Sequence, residues 1–165
     1  MQLTLFPIQL LYPICISSCS YYFLKFPGAD FENYLIYLSI LALTATSGSV
    51  FGFMFGAIFS EVITAQKILE LMVMILSFGA GVLANAGSGA TWLIRFMTWV
   101  SPIRYQAELL FRQLIKDDSP RAQTYLLAFF NYNYGNTLCY SFVMGFIVFC
   151  FIASWLILVY SGRKL

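Results

Sequence analysis

The sequence predicts an all-α membrane protein: four transmembrane helices, a re-entrant or interfacial segment and an amphipathic external helix. Three observations predict it. Apolar residues make up 61% of the 165 residues and charged residues only 10%, against about 25% charged in an ordinary globular domain. A soluble chain this small has too high a surface-to-volume ratio to hide so much apolar surface. The nine basic and seven acidic residues leave four uncharged stretches, 1–24, 33–60, 71–94 and 122–162. Each is long enough for the roughly 20 apolar residues of a bilayer-crossing helix.

Several function classes are excluded. The net charge is +2 with no long basic run, so no nucleic-acid partner is expected. Histidine is absent, which removes the usual general base and the commonest metal ligand. The four cysteines, Cys15, Cys19, Cys139 and Cys150, lie inside apolar stretches without zinc-ligand spacing, and read as small buried hydrophobes. They form no secreted-type disulfide framework. The first segment lacks a basic leader and a small-residue cleavage site, so it reads as a span and not a signal peptide.

The first span covers about 3–24. Pro7 and Pro13 each remove a helix hydrogen bond and predict a kinked or broken helix; Tyr21 and Tyr22 sit where an aromatic belt belongs. A polar turn through Lys25, Pro27, Gly28, Asp30 and Glu32 follows. The second span, about 34–59, carries Gly48, Gly52 and Gly56 four residues apart on one face, with Ala45 and Ser49 nearby. Such a face lets backbones approach closely in lipid, either as a moving or pore-lining contact or as static helix packing.

The third span, about 65–85, carries Met72, Met74, Leu76 and Phe78, and Gly79 and Gly81 allow a bend near its end. Glu70, near its start, reads as solvated or paired with Lys67. Residues 86–100 are apolar but interrupted by Arg95 and too short to cross, which fits a re-entrant or interfacial segment. Ser101-Pro102 then opens a helix. Ile103, Ala107, Leu110, Phe111 and Leu114 line one side of it, and Arg104, Glu108 and Arg112 another. That pattern predicts an amphipathic helix lying along the membrane surface. The tract 122–162 is too long for one upright helix; Asn131, Asn133, Gly135 and Asn136 break it, leaving a final span of about 137–160.

Charge alone orients the chain poorly. The side holding both termini has Lys67, Arg163 and Lys164; the other has Lys25, Arg95, Arg104, Arg112, Lys116 and Arg121. The positive-inside rule then puts the termini outside.

The order of features resembles the membrane domain of G-subfamily ABC transporters, the white and pleiotropic-drug-resistance type. The aromatic residues Trp92, Phe96 and Trp99 precede Ser101-Pro102-Ile103-Arg104-Tyr105, as in the family's Ser-Pro-x-Arg-Tyr stretch after its fifth helix. Ala80-Gly81-Val82-Leu83-Ala84-Asn85 is similar to the family's small-Gly-Leu-Leu-x-Asn ending of that helix. Pro13 and Tyr22-Phe23 resemble the proline and aromatic-Phe pair of its third helix.

The resemblance implies that the chain is the C-terminal part of an ABC-2 type transmembrane domain, a fragment holding family helices three to six. Residues 86–136 become the external loop and the termini cytoplasmic. This reverses the charge count and rests on ordered positions along nearly the whole chain. It implies ATP-driven export of lipids, sterols or hydrophobic compounds from a plasma or organelle membrane. The implied partners are the bilayer, a second transmembrane domain (homo- or heterodimer), nucleotide-binding domains and a hydrophobic substrate. No cofactor is expected on this chain; ATP and Mg2+ belong to a nucleotide-binding domain outside these residues.

By the same resemblance Val73 and Met74 line the transport path, and Val82 and Leu83 form the hydrophobic plug at its outer end. Pro13, Gly48, Gly52, Gly56, Gly81, Asn85, Ser101, Pro102, Arg104, Tyr105 and Glu108 are implied to be structural. From the residues alone, ordinary helix packing is the better account of the four path residues, and the transport roles rest on the resemblance. The chain departs from the family in several ways. It lacks a glycine-rich Lys-Ser/Thr phosphate loop, so it is not an ATPase by itself, and the family's first two helices are missing. Gln113-Leu114-Ile115 stands where Asn-Glu-Phe is common, and Val82 replaces a Leu. External-loop cysteines and Asn-x-Ser/Thr acceptors are absent. The alternative is a small self-associating four-span protein, channel-like or scaffold, without ATP-coupled transport.

Overall fold

The computed structural model describes residues 2–23, 31–78, 80, 92–116, 119–130, 132 and 134–162. Their regular structure is entirely helical: α1 Gln2–Phe23, α2 Phe31–Ile58, α3 Val62–Phe78, α4 Trp92–Val100, α5 Pro102–Leu114, α6 Pro120–Phe129 and α7 Asn136–Gly162. In lipid no water satisfies a bare backbone, so apolar stretches of this composition close their hydrogen bonds inside helices.

α2 is the hub, packing against α1, α3, α5 and α7. The buried core joins Ile40 of α2, Tyr105 and Leu109 of α5, and Cys139 and Val143 of α7. Among the described residues, α2 and α7 are long and apolar enough to cross a bilayer on their own. α1 has 22 uncharged residues. α3 has 17 residues, rising about 26 Å, and includes Gln66, Lys67 and Glu70.

Of the kinked or broken helix expected for the first span, the break does not occur: α1 runs as one continuous helix through Pro7 and Pro13, with the Pro13 side chain buried. Prolines are tolerated in membrane helices where neighbouring groups compensate. Separately, Ser17 Oγ donates to the Ile14 carbonyl at 3.0 Å, and Ser20 Oγ to the Ile16 carbonyl at 2.6 Å, local back-bonds to carbonyls that the prolines do not free. Hydroxyl pairs fasten α1 to α2, Ser18 with Tyr34 at 2.9 Å and Ser20 with Tyr37 at 3.1 Å.

A second correction concerns α5. It does not lie along the surface but packs against α2, α3 and α7. Near its C-terminal end Lys116 Nζ donates to Asn33 Oδ1 at 3.2 Å, while Gln106 Nε2 donates to Ser47 Oγ. Asn33 and Ser47 are about 21 Å apart along α2, and Gln106 and Lys116 about 15 Å along the α5 direction. α5 therefore stands upright beside α2 and runs antiparallel to it. The pattern of charges pointed to the surface because it assumed water on the polar side; here the polar side faces other helices.

α6 was not expected as a separate helix. It carries the same Ser-Pro opening as α5, and here Ser119 Oγ does accept from the Ala122 amide at 3.4 Å. The glycine pair at 79 and 81, the polar turn at 25–30 and the start of the re-entrant segment at 86–91 lie outside the described residues.

Candidate functional site

Two regions carry the chemistry, and the first begins at Ser101. Its backbone is extended ahead of Pro102, as an N-cap should be, yet its side chain makes no cap bond. Instead Ser101 Oγ donates to the Leu76 carbonyl at 2.8 Å. Leu76 is in the last turn of α3, where carbonyls lack a helical donor. Ser101 is fully buried, so the residue expected to start one helix finishes another.

One turn on, Arg104 is buried with its guanidinium 5.6 Å from the centre of the Tyr134 ring, a cation–π distance. The Tyr105 hydroxyl donates to the Trp99 carbonyl at 3.0 Å, and its ring stacks on Phe142 of α7 with centres 4.0 Å apart. Gln106 reaches Ser47. Glu108 has no solvent exposure; its Oε1 accepts from Arg112 Nη2 at 2.7 Å and Nε at 3.0 Å. Burial pushes the Glu108 carboxyl above its usual range, while the Arg112 hydrogen bond and charge, the Arg104 charge and the Tyr134 backbone pull it back.

The chain of contacts continues. Arg112 Nη2 also donates to the Tyr132 carbonyl at 3.3 Å. The Tyr132 amide donates to the Leu127 carbonyl at 2.8 Å, and its ring lies against Phe111 and Phe130. Its hydroxyl donates to the Ala80 carbonyl at 3.2 Å. Burial raises the Tyr132 hydroxyl above the usual tyrosine range, partly offset by the Arg104 charge.

The second region is α3 itself. Leu71, Met72, Val73, Met74 and Phe78 are exposed, Val73 by 40% and Met74 by 59%. Val73 and Met74, two of the four expected path residues, thus lie on an open apolar wall. Glu70 is exposed and accepts from Gln66 at 3.1 Å, a solvated helix-surface pair. Trp92, Phe96 and Trp99 of α4 are exposed beside it, and α4 contacts α3.

The glycine face divides. A Cβ at Gly52 would meet Leu69 Cδ2 of α3 at 3.8 Å, ordinary contact, whereas Gly48 and Gly56 face open space within the chain. Close backbone approach inside the chain is therefore not the use of this face.

The structure brings Ser101, Arg104, Tyr105 and Glu108 together and leaves Val73 and Met74 on the α3 wall. Gly81, Val82, Leu83 and Asn85 lie outside the described residues. Sequence reasoning missed Ser47, Gln106, Tyr132 and Tyr134 as members of the cluster. The available signal was the alternation Phe130-Asn131-Tyr132-Asn133-Tyr134-Gly135, which was read only as a helix break. Among the described residues no three of His, Cys, Asp and Glu gather to hold a metal.

Compared with known families, residues 1–114 match the family described as ABC-2 type transporter. No curated protein matches the chain.

Proposed function

The chain belongs to the ABC-2 type transporter family, and on that premise we propose that it forms part of the translocation path of a G-subfamily exporter of lipids, sterols or other hydrophobic compounds. Transmembrane domains of the family are transport domains without ATPase motifs. This chain offers no phosphate loop, so it does not fit a nucleotide, and ATP with Mg2+ is the business of a separate nucleotide-binding domain.

In this reading α1, α2, a third span made of α3 and the residues after it to about 85, and α7 cross the bilayer. Residues 86–136 form the external loop, and the termini face the cytoplasm. A second transmembrane domain closes the cavity. Val73 and Met74 line its wall, and Val82 and Leu83 plug its outer end.

The observation that supports this most is the exposed apolar wall of α3. A cavity for greasy cargo needs apolar lining and few polar anchors, and thioether side chains such as Met72 and Met74 adapt to varied shapes. The test is ATP-dependent movement of a fluorescent phospholipid in vesicles where the chain is assembled with nucleotide-binding domains. A bulkier side chain on the path wall takes up room that the cargo needs, so Met74→Trp should lower transport, while Val148→Trp on the exposed face of α7 should not. Equal rates for the two variants would remove α3 from the path.

The self-associating scaffold reading draws on the open Gly48 and Gly56 positions. It predicts assembly without nucleotide-binding domains and no ATP dependence in the same assay.

A further inference from the structure

The outer end of α3 is held by two hydrogen bonds from separate segments: Ser101 Oγ to the Leu76 carbonyl at 2.8 Å and the Tyr132 hydroxyl to the Ala80 carbonyl at 3.2 Å. Carbonyls at a helix end have no intrahelical donor, and in a site closed to water each must find another. Both donors are buried, Ser101 at 0% and Tyr132 at 2% exposure, and Ala80 is buried as well.

Tyr132 is itself fixed from behind. Arg112 grips its carbonyl, and Glu108 grips Arg112 through two hydrogen bonds. Phe111 and Phe130 flank the ring. A line of contacts thus runs from the buried carboxylate of α5, through the segment after α6, to the end of α3.

We propose that Tyr132 is a positioning residue: its hydroxyl clasps the outer end of α3 to the external loop and so sets where the Val73–Met74 wall stands. The consequence for transport rests on the reading of α3 as the path wall; the clasp itself does not. Ser101 is the second hook of the same clasp, one helical turn closer to Met74. Movement of the external loop is thereby transmitted to α3 through one phenolic hydrogen bond.

The test uses the full chain assembled with nucleotide-binding domains in vesicles. Spin labels at Ser77→Cys and Gly135→Cys report the distance from the α3 end to the start of α7. Tyr132→Phe keeps the ring and removes only the donor. It should broaden that distance distribution and raise the unclasped fraction about three- to tenfold, the scale of one net hydrogen bond. Ser101→Ala should do the same, and Tyr125→Phe, an exposed tyrosine of α6, should leave the distribution unchanged. Basal ATP turnover per folded molecule should rise in the two clasp variants. An unchanged distance in both variants overturns the clasp whatever turnover does. A broadened distance with unaltered turnover and transport upholds the clasp and counts against α3 as the path wall.

Discussion

α3 and α5 are dressed in opposite ways. α5 carries Arg104, Gln106 and Glu108, and all three are buried. α3 carries Leu71, Met72, Val73, Met74 and Phe78, and all five are exposed. In water this would be inside-out. Lipid tails are as apolar as Leu, so burial of apolar surface does not drive helices together there. Polar and ionisable groups are what lipid expels, and they collect where other helices can pair them. The contrast marks α5 as the bundle's polar fastener and α3 as a surface open to lipid, partner or cargo.

The sharpest way to break the comparison is to remove the fastener's charge. Leaving Arg112 and Arg104 without Glu108 uncovers buried positive charge, a change worth about 3–5 kcal/mol. Glu108→Ala should therefore lose most folded protein in a detergent thermal-stability assay. Glu61→Ala, in the exposed start of α3 where its partner is Thr64, should fall within about 0.5 kcal/mol of the parent. Similar losses from both would erase the distinction between the regions.

Next in size is Gln106→Ala. It removes the bond to the Ser47 hydroxyl, which keeps its own donation to the Thr44 carbonyl, and should cost about 0.5–1.5 kcal/mol, read as a lowered melting temperature. Replacing a polar residue of α3, Gln66→Ala, should cost far less.

A pH titration sharpens the same point. Burial raises the Glu108 carboxyl, so the folded chain keeps its proton over a window where the unfolded chain has lost it. Stability contributed by this group falls as pH rises through that window and returns as pH drops below it. Glu108→Gln should flatten that part of the melting-temperature profile; an unchanged slope would mean that the carboxyl is not desolvated.

The smallest effects belong to the glycine face. Gly48→Ala and Gly56→Ala meet open space and should stabilise α2 by up to about 1 kcal/mol through helix propensity. Loss of assembly at unchanged monomer stability would instead place a partner on that face.

The helical character of the chain was legible because uncharged stretches and Ser-Pro openings are local signals. The same local logic misplaced α5. Its charges repeat every four residues, as on a solvated helix, and no pattern in 101–114 states that Ser47 and Tyr134 wait on the other side. Ser101 shows the limit at a single residue. Ser before Pro reads as a cap, and only the nearby end of α3 turned its hydroxyl to Leu76. Tyr132 was hidden for a similar reason, since its role depends on Ala80, far away in sequence. Val73 and Met74 were picked out by family resemblance, because an exposed Met in a span looks like any other residue facing lipid.

The upright placement of α5 is the claim on which the fastener depends, and a disulfide pair addresses it most directly. With the native cysteines replaced, Ser47→Cys and Gln106→Cys in the full chain should cross-link readily under mild oxidation in membranes, and Gln106→Cys alone should resist an impermeant maleimide. Rapid labelling at 106 with no cross-link to 47 would return α5 to the membrane surface and contradict the account.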